Sequence, residues 1–199
     1  MRIISGAFGG RRLKTVEGPG YRPAMGRVRE ALFSLMEARG VVWSACTVLD
    51  VFAGSGSLAF EALSRGAVYA RLVELAPRAV KCLHANAALL GLDSGRLGIV
   101  REDAVRHLGR ACSRPFSVVF VDPPYGQNLL PTTLHTLLRR GWLAPGGMLV
   151  AEVESRVPFD SGGYPPLECL AERTFGQTRV IAWTLPSTAS GSTPAPSTP

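Results

Sequence analysis

The chain has 199 residues, of which 46% are hydrophobic and 19% charged, and its formal net charge is +7. This composition is typical of a folded domain and excludes a chain that is disordered or fibrous throughout. The length allows one full domain with short appendages. The four cysteines lie far apart without a C-x-x-C pair, so we expect neither a zinc site nor a disulfide framework. Without a signal-peptide pattern or an apolar run of about 18 residues, we expect a cytoplasmic protein that does not enter membranes.

The positive charge is concentrated near the start of the chain. Residues 1–40 carry eight basic and three acidic side chains, a net charge of +5, whereas the other 159 residues carry +2. Twenty of the 22 basic residues are arginines, whose planar guanidinium binds phosphate oxygens and stacks on bases. The alternative is an ordinary solvated surface, but such asymmetry is typical of a basic arm that binds nucleic acid. The arginines expected to contact phosphates are Arg11, Arg12, Arg22, Arg27 and Arg29.

Apolar runs alternate with helical patterns along the chain. Residues 1–23, rich in Gly and Arg, predict an extended arm or short hairpin, and a helix is predicted over 27–39. Strands are predicted at 46–52, 69–74, 97–101, 116–121 and 147–153, and helices at 57–65, 77–90, 103–110 and 131–140. Pro145-Gly146-Gly147 is predicted to break the chain just before the fifth strand. Strands separated by helices indicate βαβ crossovers and a parallel sheet buried on both faces.

Two further strands are predicted near the end of the chain. They span 167–175 and 178–185, and Gly176-Gln177 between them is typical of a hairpin, which adds an antiparallel pair to the sheet. Residues 187–199 contain only Ser, Thr, Ala, Gly and Pro, so we expect a disordered tail. The expected organisation is a basic arm over 1–23, one domain over 24–185 and a tail over 186–199.

A glycine-containing loop follows the first predicted strand. Small residues at Gly54-Ser55-Gly56 let the backbone approach a ligand, and the helix that follows offers unpaired N–H groups. In an open parallel sheet, this position lies at the carboxyl ends of the strands, where ligands bind. The loop therefore predicts a cofactor site.

Two cofactors fit this loop. Gly54-x-Gly56-x-x-Ala59 matches the dinucleotide fingerprint, with Glu74 placed to accept from ribose hydroxyls. Asp50, near the end of the apolar strand, favours a cofactor other than a dinucleotide, because a buried carboxylate needs a positive or hydrogen-bonding partner. It would repel a pyrophosphate, whereas S-adenosylmethionine carries an ammonium and a sulfonium. We therefore favour S-adenosylmethionine, with Glu74 on its ribose.

Asp103 follows the third predicted strand. Its carboxylate can accept from the amino group of an adenine, which would place it at the far end of the same cofactor. An isolated aspartate at this position is also a common N-cap of the helix that follows. We favour the adenine role for Asp103, with the N-cap as the alternative.

The fourth predicted strand leads into Asp122-Pro123-Pro124-Tyr125-Gly126. The two prolines fix their own φ and restrict the residue before each of them, which makes a stiff turn with outward carbonyls. An exocyclic amino group has two N–H bonds, and Asp122 and the Pro123 carbonyl can accept them while Tyr125 stacks on the base. Accepting both hydrogens localises the nitrogen lone pair and directs it at a sulfonium methyl group. The turn therefore predicts methyl transfer to a planar amine.

With both loops considered, the chain resembles class I S-adenosylmethionine-dependent methyltransferases that methylate amines. More narrowly, it resembles the bacterial RsmD family, which methylates N2 of a guanine in small-subunit ribosomal RNA. The resemblance covers about residues 1–185, and its markers are Met1-Arg2-Ile3-Ile4-Ser5-Gly6, Arg22-Pro23, Arg27-Val28-Arg29-Glu30-Ala31-Leu32-Phe33, Asp50-Val51-Phe52-Ala53-Gly54-Ser55-Gly56 and Asp122-Pro123-Pro124-Tyr125. The chain departs from the family at residues 24–26, where Ala-Met-Gly stands in place of the common Thr-Thr-Asp.

The resemblance implies an α/β, Rossmann-like fold with a seven-stranded, mostly parallel sheet, a C-terminal antiparallel hairpin and helices on both faces. It implies S-adenosylmethionine as cofactor, S-adenosylhomocysteine as product and no metal. The residues implied to hold the cofactor are Asp50, Phe52, Ala53, Gly54, Ser55, Gly56, Glu74, Leu75, Asp103 and Ala104. The residues implied in catalysis are Asp122, Pro123, Pro124 and Tyr125. The implied substrate is ribosomal RNA or a small-subunit assembly intermediate, and we expect a monomer.

Three other functions remain open from the sequence. The first is an adenine-N6 methyltransferase of DNA or RNA, because the same Asp-Pro-Pro-Tyr turn occurs in such enzymes. The second is a non-catalytic RNA-binding protein that keeps a methyltransferase fold, against which the two intact loops speak. The third is a nicotinamide-dependent oxidoreductase, which only the glycine pattern favours.

Overall fold

The computed structural model describes residues 1–16 and 26–187. Its strands are β1 (Thr47–Val51), β2 (Tyr69–Glu74), β3 (Leu97–Arg101), β4 (Phe116–Val121), β5 (Leu143–Glu154), β6 (Glu168–Phe175) and β7 (Thr178–Thr184). Its α-helices are α1 (Gly26–Ala38), α2 (Ser57–Arg65), α3 (Pro77–Leu90), α4 (Ala104–Leu108) and α5 (Leu129–Arg139), and a short 3-10 helix spans Trp43–Ala45. The predicted tail from 188 onward and the predicted arm residues 17–23 lie outside the described residues.

The seven strands form one sheet in the order β3-β2-β1-β4-β5-β7-β6. Strands β1 to β5 run parallel to one another, whereas β7 is antiparallel to both β5 and β6. The strand order reverses between β1 and β4, and such a switch point is where ligands bind in open α/β sheets. This topology confirms the predicted α/β fold with its C-terminal antiparallel hairpin.

The helices cover both faces of the sheet. Helices α1, α2 and α3 pack on one face, and α4 and α5 pack on the other. The central strands β1 and β4 therefore contribute apolar residues to both layers, and Val48 and Leu49 are fully buried on opposite faces. Continuous burial of this kind explains why these strands are apolar runs without alternation. Among the described residues, no helix is long and apolar enough to span a membrane.

Strand β5 begins earlier than predicted. Phe116 pairs with Leu143 and Val118 pairs with Met148, so β5 contains three more residues than β4 between these partners. Pro145 and Gly146 lie in this bulge, where a residue without a ladder hydrogen bond is tolerated. The prediction that Pro145-Gly146-Gly147 breaks the chain before the strand is therefore wrong.

The N-terminal segment, residues 1–16, packs against α2 and α3 rather than extending into solvent. Arg2 and Arg12 form an antiparallel bridge, as in the predicted short hairpin. The amides of Ile4 and Ser5 donate to the fully buried Glu61 carboxylate at 2.8 and 3.1 Å. These bonds make the segment part of the folded domain.

Asn86 on α3 connects the N-terminal segment to the glycine loop. Its Oδ1 accepts from the Lys14 amide at 2.8 Å, and its Nδ2 donates to the carbonyls of Lys14 at 3.0 Å and Ser55 at 3.2 Å. The side chain is fully buried. A buried amide with its donors and acceptor satisfied fixes the relative position of the groups it joins.

Candidate active site

The glycine loop turns sharply between β1 and α2. Gly54 and Gly56 have positive φ, at 55° and 79°, and Phe52 has a φ of 68° although it carries a side chain. The amides of Phe52 and Ala53 both donate to the Val73 carbonyl, at 3.1 and 3.0 Å, which holds the strained residue against β2. Backbone strain of about 1–3 kcal/mol in a non-glycine residue is typical of ligand sites. The loop therefore has the geometry of a binding turn.

Gly56 is required by packing as well as by its backbone conformation. A Cβ at this position would lie 2.5 Å from Cε2 of Phe60 and 2.8 Å from Cδ2 of Leu83. Phe60 is fully buried and Leu83 lies in the same cluster, so neither can move far. A side chain at position 56 would therefore prevent the start of α2 from packing this closely against the core.

Glu74, at the end of β2, fastens this loop from the side. Its Oε2 accepts from the Gly54 amide at 2.8 Å, and its Oε1 accepts from the Ala76 amide at 2.8 Å. A carboxylate offers about four acceptor positions, so two remain for a ligand. Glu74 therefore joins the loops after β1 and β2, and its role toward ribose hydroxyls stays a prediction.

Asp50 lies at the buried end of β1. It is 2% exposed, and its Oδ2 accepts from the Ala59 amide on α2 at 3.2 Å. Burial raises the pKa of Asp50 to about 8, and the negative charges of Asp122 and Glu74 add to the increase. The surroundings of Asp50 in the described chain therefore do not supply the positive partner that a buried carboxylate needs.

The Asp122 turn lies directly beside the glycine loop. The Asp122 amide donates to the carbonyl of Val51, the last residue of β1, at 3.4 Å. Burial raises the pKa of Asp122 to about 7. Pro123 is buried and Pro124 is half-buried, so the turn is held by packing as well as by its prolines. The hydroxyl of Tyr125 lies 2.7 Å from Oγ1 of Thr178 on β7, which fixes the ring.

Glu152 on β5 joins the same group of carboxylates. Asp50 on β1 pairs with Phe120 on β4, which in turn pairs with Val150 on β5. Because side chains alternate, Asp122 and Glu152, each two residues further on, lie on the same face. Burial raises the pKa of Glu152 to about 8, and the charges of Asp122 and Asp50 add to the increase.

Glu152 was not predicted from the sequence, although a signal was present. A single acidic residue stands in the apolar run Leu149-Val150-Ala151-Glu152-Val153, as Asp50 does in β1. Glu152 is 7% exposed. Within the described part of the chain, none of Asp50, Asp122 and Glu152 forms an ion pair with a basic side chain. Two buried carboxylates, Asp50 and Glu152, and the half-buried Asp122 fit a positively charged ligand such as the ammonium and sulfonium of S-adenosylmethionine.

The loops after β2 and β3 carry the other predicted cofactor residues. Leu75 is 57% exposed next to Glu74. Asp103 is the N-cap of α4, where its Oδ1 accepts from the Arg106 amide at 2.8 Å, and Ala104 is buried behind it. The last pair of residues in the β2–β3 ladder is Glu74 and Arg101, so both loops leave the sheet at the carboxyl ends of the parallel strands. The capping role of Asp103 is confirmed, whereas its adenine role stays a prediction.

Residues 1–184 match the model of the protein family described as Conserved hypothetical protein 95. Over 160 residues the chain is 40% identical to ribosomal RNA small subunit methyltransferase D of Escherichia coli K12, covering 79% of this chain and 78% of that protein. The chain belongs to the RsmD family. The relative of that name from Haemophilus influenzae is 36% identical over 160 residues, which cover 80% of this chain and 81% of that protein.

Solved structures agree with this assignment of the chain to the RsmD family. The Escherichia coli protein yhhF superposes with a TM-score of 0.80 at 34% identity, covering 94% of this chain and 99% of that one. An RNA methyltransferase of Salinibacter ruber, solved with S-adenosyl-L-homocysteine, has a TM-score of 0.59 at 19% identity, covering 85% and 97%. The RsmD-family chain thus has the fold of class I S-adenosylmethionine-dependent methyltransferases.

The arginines predicted to bind phosphate differ in their surroundings in this RsmD-family chain. Arg11, Arg12 and Arg27 are exposed, and Arg22 lies outside the described residues. Arg29 is only 3% exposed, because its guanidinium donates to the Arg2 carbonyl at 2.5 Å and faces Glu61 at 3.7 Å. The prediction for Arg29 is wrong, since a buried guanidinium committed to the fold cannot reach a phosphate.

We predict that the stability of the ligand-free RsmD-family chain falls as pH rises from about 5 to about 8. The carboxyls of Asp50 and Glu152 have a pKa of about 8 when folded, against about 4 in an unfolded chain. In this window the folded state binds more protons than the unfolded state, so the free energy of unfolding decreases with pH and levels off above about 8. Urea denaturation across this range measures the effect.

Two matched variants test whether the buried carboxylates cause this dependence on pH. Asp50→Asn should reduce the dependence of stability on pH, since the amide does not titrate. Glu168→Gln, at an exposed position on β6, should leave the dependence unchanged. A free energy of unfolding that rises with pH over this window would contradict the assignment.

Proposed function

We propose that the protein transfers a methyl group from S-adenosylmethionine to the exocyclic N2 of a guanine in small-subunit ribosomal RNA. The observation that carries this proposal is the contact between the Asp122 amide and the Val51 carbonyl at 3.4 Å. It brings a turn suited to a planar amine beside a loop suited to a cationic cofactor. In this proposal the protein acts as a cytoplasmic monomer on ribosomal RNA or a small-subunit assembly intermediate, without a metal.

Two comparisons support the choice of cofactor and substrate. The Salinibacter ruber structure contains S-adenosyl-L-homocysteine, the product form of the cofactor. The Escherichia coli and Haemophilus influenzae relatives are named as methyltransferases of small-subunit ribosomal RNA. When bound, S-adenosylmethionine supplies the electrophilic methyl group and leaves as S-adenosylhomocysteine. We assign Asp50 and the loop from Phe52 to Gly56 to its charged part, and Glu74, Leu75, Asp103 and Ala104 to its adenosine.

The Asp122 turn orients the amine in this mechanism. The Asp122 carboxylate and the Pro123 carbonyl accept the two N–H bonds of the amino group, which directs the nitrogen lone pair away from the turn. Tyr125, fixed through Thr178, stacks on the base, and the stiff backbone at Pro124 keeps the acceptors in place. After transfer, the amine releases one proton. The pKa of Asp122, raised by burial to about 7, suits a proton acceptor near neutral pH.

Methylation mapping tests the proposed function. Ribosomal RNA from cells with and without the protein is digested, and the modified nucleosides are identified and located. We expect the cells without the protein to lack one N2-methylguanosine in the small-subunit RNA, and the purified protein to restore it. Loss of an N6-methyladenosine instead, or no difference between the two RNAs, would contradict the proposal.

We predict that Arg11 and Arg12 contribute to RNA affinity through phosphates. Both are exposed, and removing one arginine that binds a phosphate should reduce the salt dependence of binding to single-stranded RNA by about 0.7 in log–log slope. Fluorescence anisotropy over a salt series compares Arg11→Ala and Arg12→Ala with Arg139→Ala. Arg139 is an exposed arginine at the C-terminal end of α5, across the sheet from the site, and its replacement should leave the slope unchanged. Equal slopes for the wild-type protein and all three variants would refute the assignment.

A further inference from the structure

A pocket of about 380 Å³ opens beside the Asp122 turn, and the proposed function leaves most of its residues without a role. Its lining residues are Tyr125, Gly126, Glu154, Arg156 and Gln177. The volume falls within the range of small-molecule sites. Only Tyr125 belongs to the turn's catalytic residues, so the pocket extends outward from the site along the end of β5. Through Tyr125 the pocket adjoins the turn that is proposed to hold the base.

The Glu154 carboxylate is fixed against the turn. Its Oε1 accepts from the Gly126 amide at 2.7 Å, directly after Tyr125. Glu154 pairs in the sheet with Thr178, the residue that holds the Tyr125 hydroxyl. Of about four acceptor positions on the carboxylate, Gly126 occupies one, and Glu154 lines the pocket. Two residues beyond Glu154, the exposed Arg156 brings a guanidinium to the same pocket.

We infer that Glu154 and Arg156 recognise the Watson–Crick edge of guanine, an inference that rests on the proposed function. Along that edge guanine presents the N2 amine, the N1–H donor and the O6 acceptor in succession. Asp122 accepts from N2, Glu154 accepts from N1–H, and Arg156 donates to O6. Adenine has a lone pair at N1, which a carboxylate repels, and carries its amine where guanine has O6. The pocket thus selects guanine by matching two acceptors and one donor to its edge.

The test uses an RNA in which the mapped target guanine is replaced by 2-aminopurine. This base keeps the 2-amino group but lacks both N1–H and O6. We expect the wild-type protein to have a kcat/KM about 10- to 100-fold lower on the 2-aminopurine RNA, as for loss of hydrogen bonds to charged groups. The two amines also differ in nucleophilicity. The decisive quantity is therefore the ratio of kcat/KM on the guanine RNA to kcat/KM on the 2-aminopurine RNA, and how this ratio changes in the variants.

Glu154→Gln should reduce the ratio by about tenfold or more, since the amide can donate to the N1 lone pair of 2-aminopurine. Its side-chain oxygen still accepts from Gly126, which preserves the turn. Arg156→Ala should raise KM on the guanine RNA while kcat/KM on the 2-aminopurine RNA changes little. The matched controls, Glu168→Gln and Arg139→Ala, should keep the wild-type ratio. Titration with S-adenosylmethionine should give the wild-type affinity for all four variants.

Two results distinguish failure of this inference from failure of the proposed function. If Glu154→Gln and Arg156→Ala methylate both RNAs with the wild-type ratio, the pocket does not read the base and the inference is overturned. If the wild-type protein methylates no guanine in the parent RNA, the proposed function itself fails. A loss of S-adenosylmethionine affinity in Glu154→Gln would show that the residue acts on the cofactor site instead, and would also overturn the inference.

Discussion

Replacing Asp122 with alanine should lower kcat for methyl transfer by about 10²- to 10⁴-fold, the range expected for loss of a group that accepts a proton and orients the amine. Asp122 lies beside the cofactor loop, and its pKa is raised by burial to about 7. Its removal takes away the acceptor but leaves Asp50 and Glu74 in place. We therefore expect the affinity for S-adenosylmethionine, measured by calorimetric titration, to change by less than about tenfold.

Asp122→Asn provides the matched control for this prediction. The amide keeps one acceptor oxygen but cannot take up a proton, so its activity should lie between those of the wild-type and alanine proteins. In the wild-type protein kcat should rise with pH through about 7, as the Asp122 carboxyl loses its proton and becomes an acceptor. This rise should disappear in the asparagine variant. Full activity of Asp122→Ala would remove the proposed mechanism.

The second large effect is expected for Gly56→Ala. The methyl group would lie 2.5 Å from Phe60 and 2.8 Å from Leu83, at a φ of 79° that L residues rarely adopt. The backbone cost of about 1–2 kcal/mol and the overpacking cost of about 1–3 kcal/mol together lower the free energy of unfolding by about 2–5 kcal/mol. Urea denaturation measures this change, and the affinity for S-adenosylmethionine should fall because the loop must shift.

Gly91→Ala isolates the backbone part of that cost. Gly91 ends α3 at a φ of 67°, and a Cβ there meets no atom within 4 Å. We expect a loss of about 1–2 kcal/mol in this variant, with cofactor affinity unchanged. Equal destabilisation by the two substitutions would show that the contacts of Gly56 with Phe60 and Leu83 contribute nothing.

The sequence predicts the strands and helices well because each apolar pattern matches the burial that the fold provides. The runs at β1 and β4 lie between two helical layers, and the stripe on α1 faces the core. The bulge in β5 was missed because Pro145 and Gly146 signal a break in the local chain, whereas pairing of Leu143 with Phe116 continues the ladder across them. Such pairing depends on distant residues that local patterns do not contain.

The site was predicted in part for similar reasons. Asp50 precedes the glycine loop and Asp122 begins the Asp-Pro-Pro-Tyr turn, and the structure brings these two recognisable motifs together. Glu152 has no motif, and only the register of β5 against β4 shows that it joins them. Arg29 was assigned by charge alone, although it lies four residues before Phe33 on the buried stripe of α1. Its partner Glu61 comes from another helix and could not be predicted from local sequence.

The docking of the N-terminal segment sets a minimum size for an RNA that uses the whole surface. Arg11 donates to the Leu89 carbonyl in the last turn of α3, whereas the first turn of that helix follows the Glu74 loop. The 14 residues of α3, at about 1.5 Å each, separate these two ends by about 20 Å. Because hydrogen bonds to Glu61 and Asn86 hold the segment on the domain, this separation is constant. An RNA that reaches from Arg11 to the cofactor side of the domain must span at least this distance, which requires several nucleotides or a folded RNA.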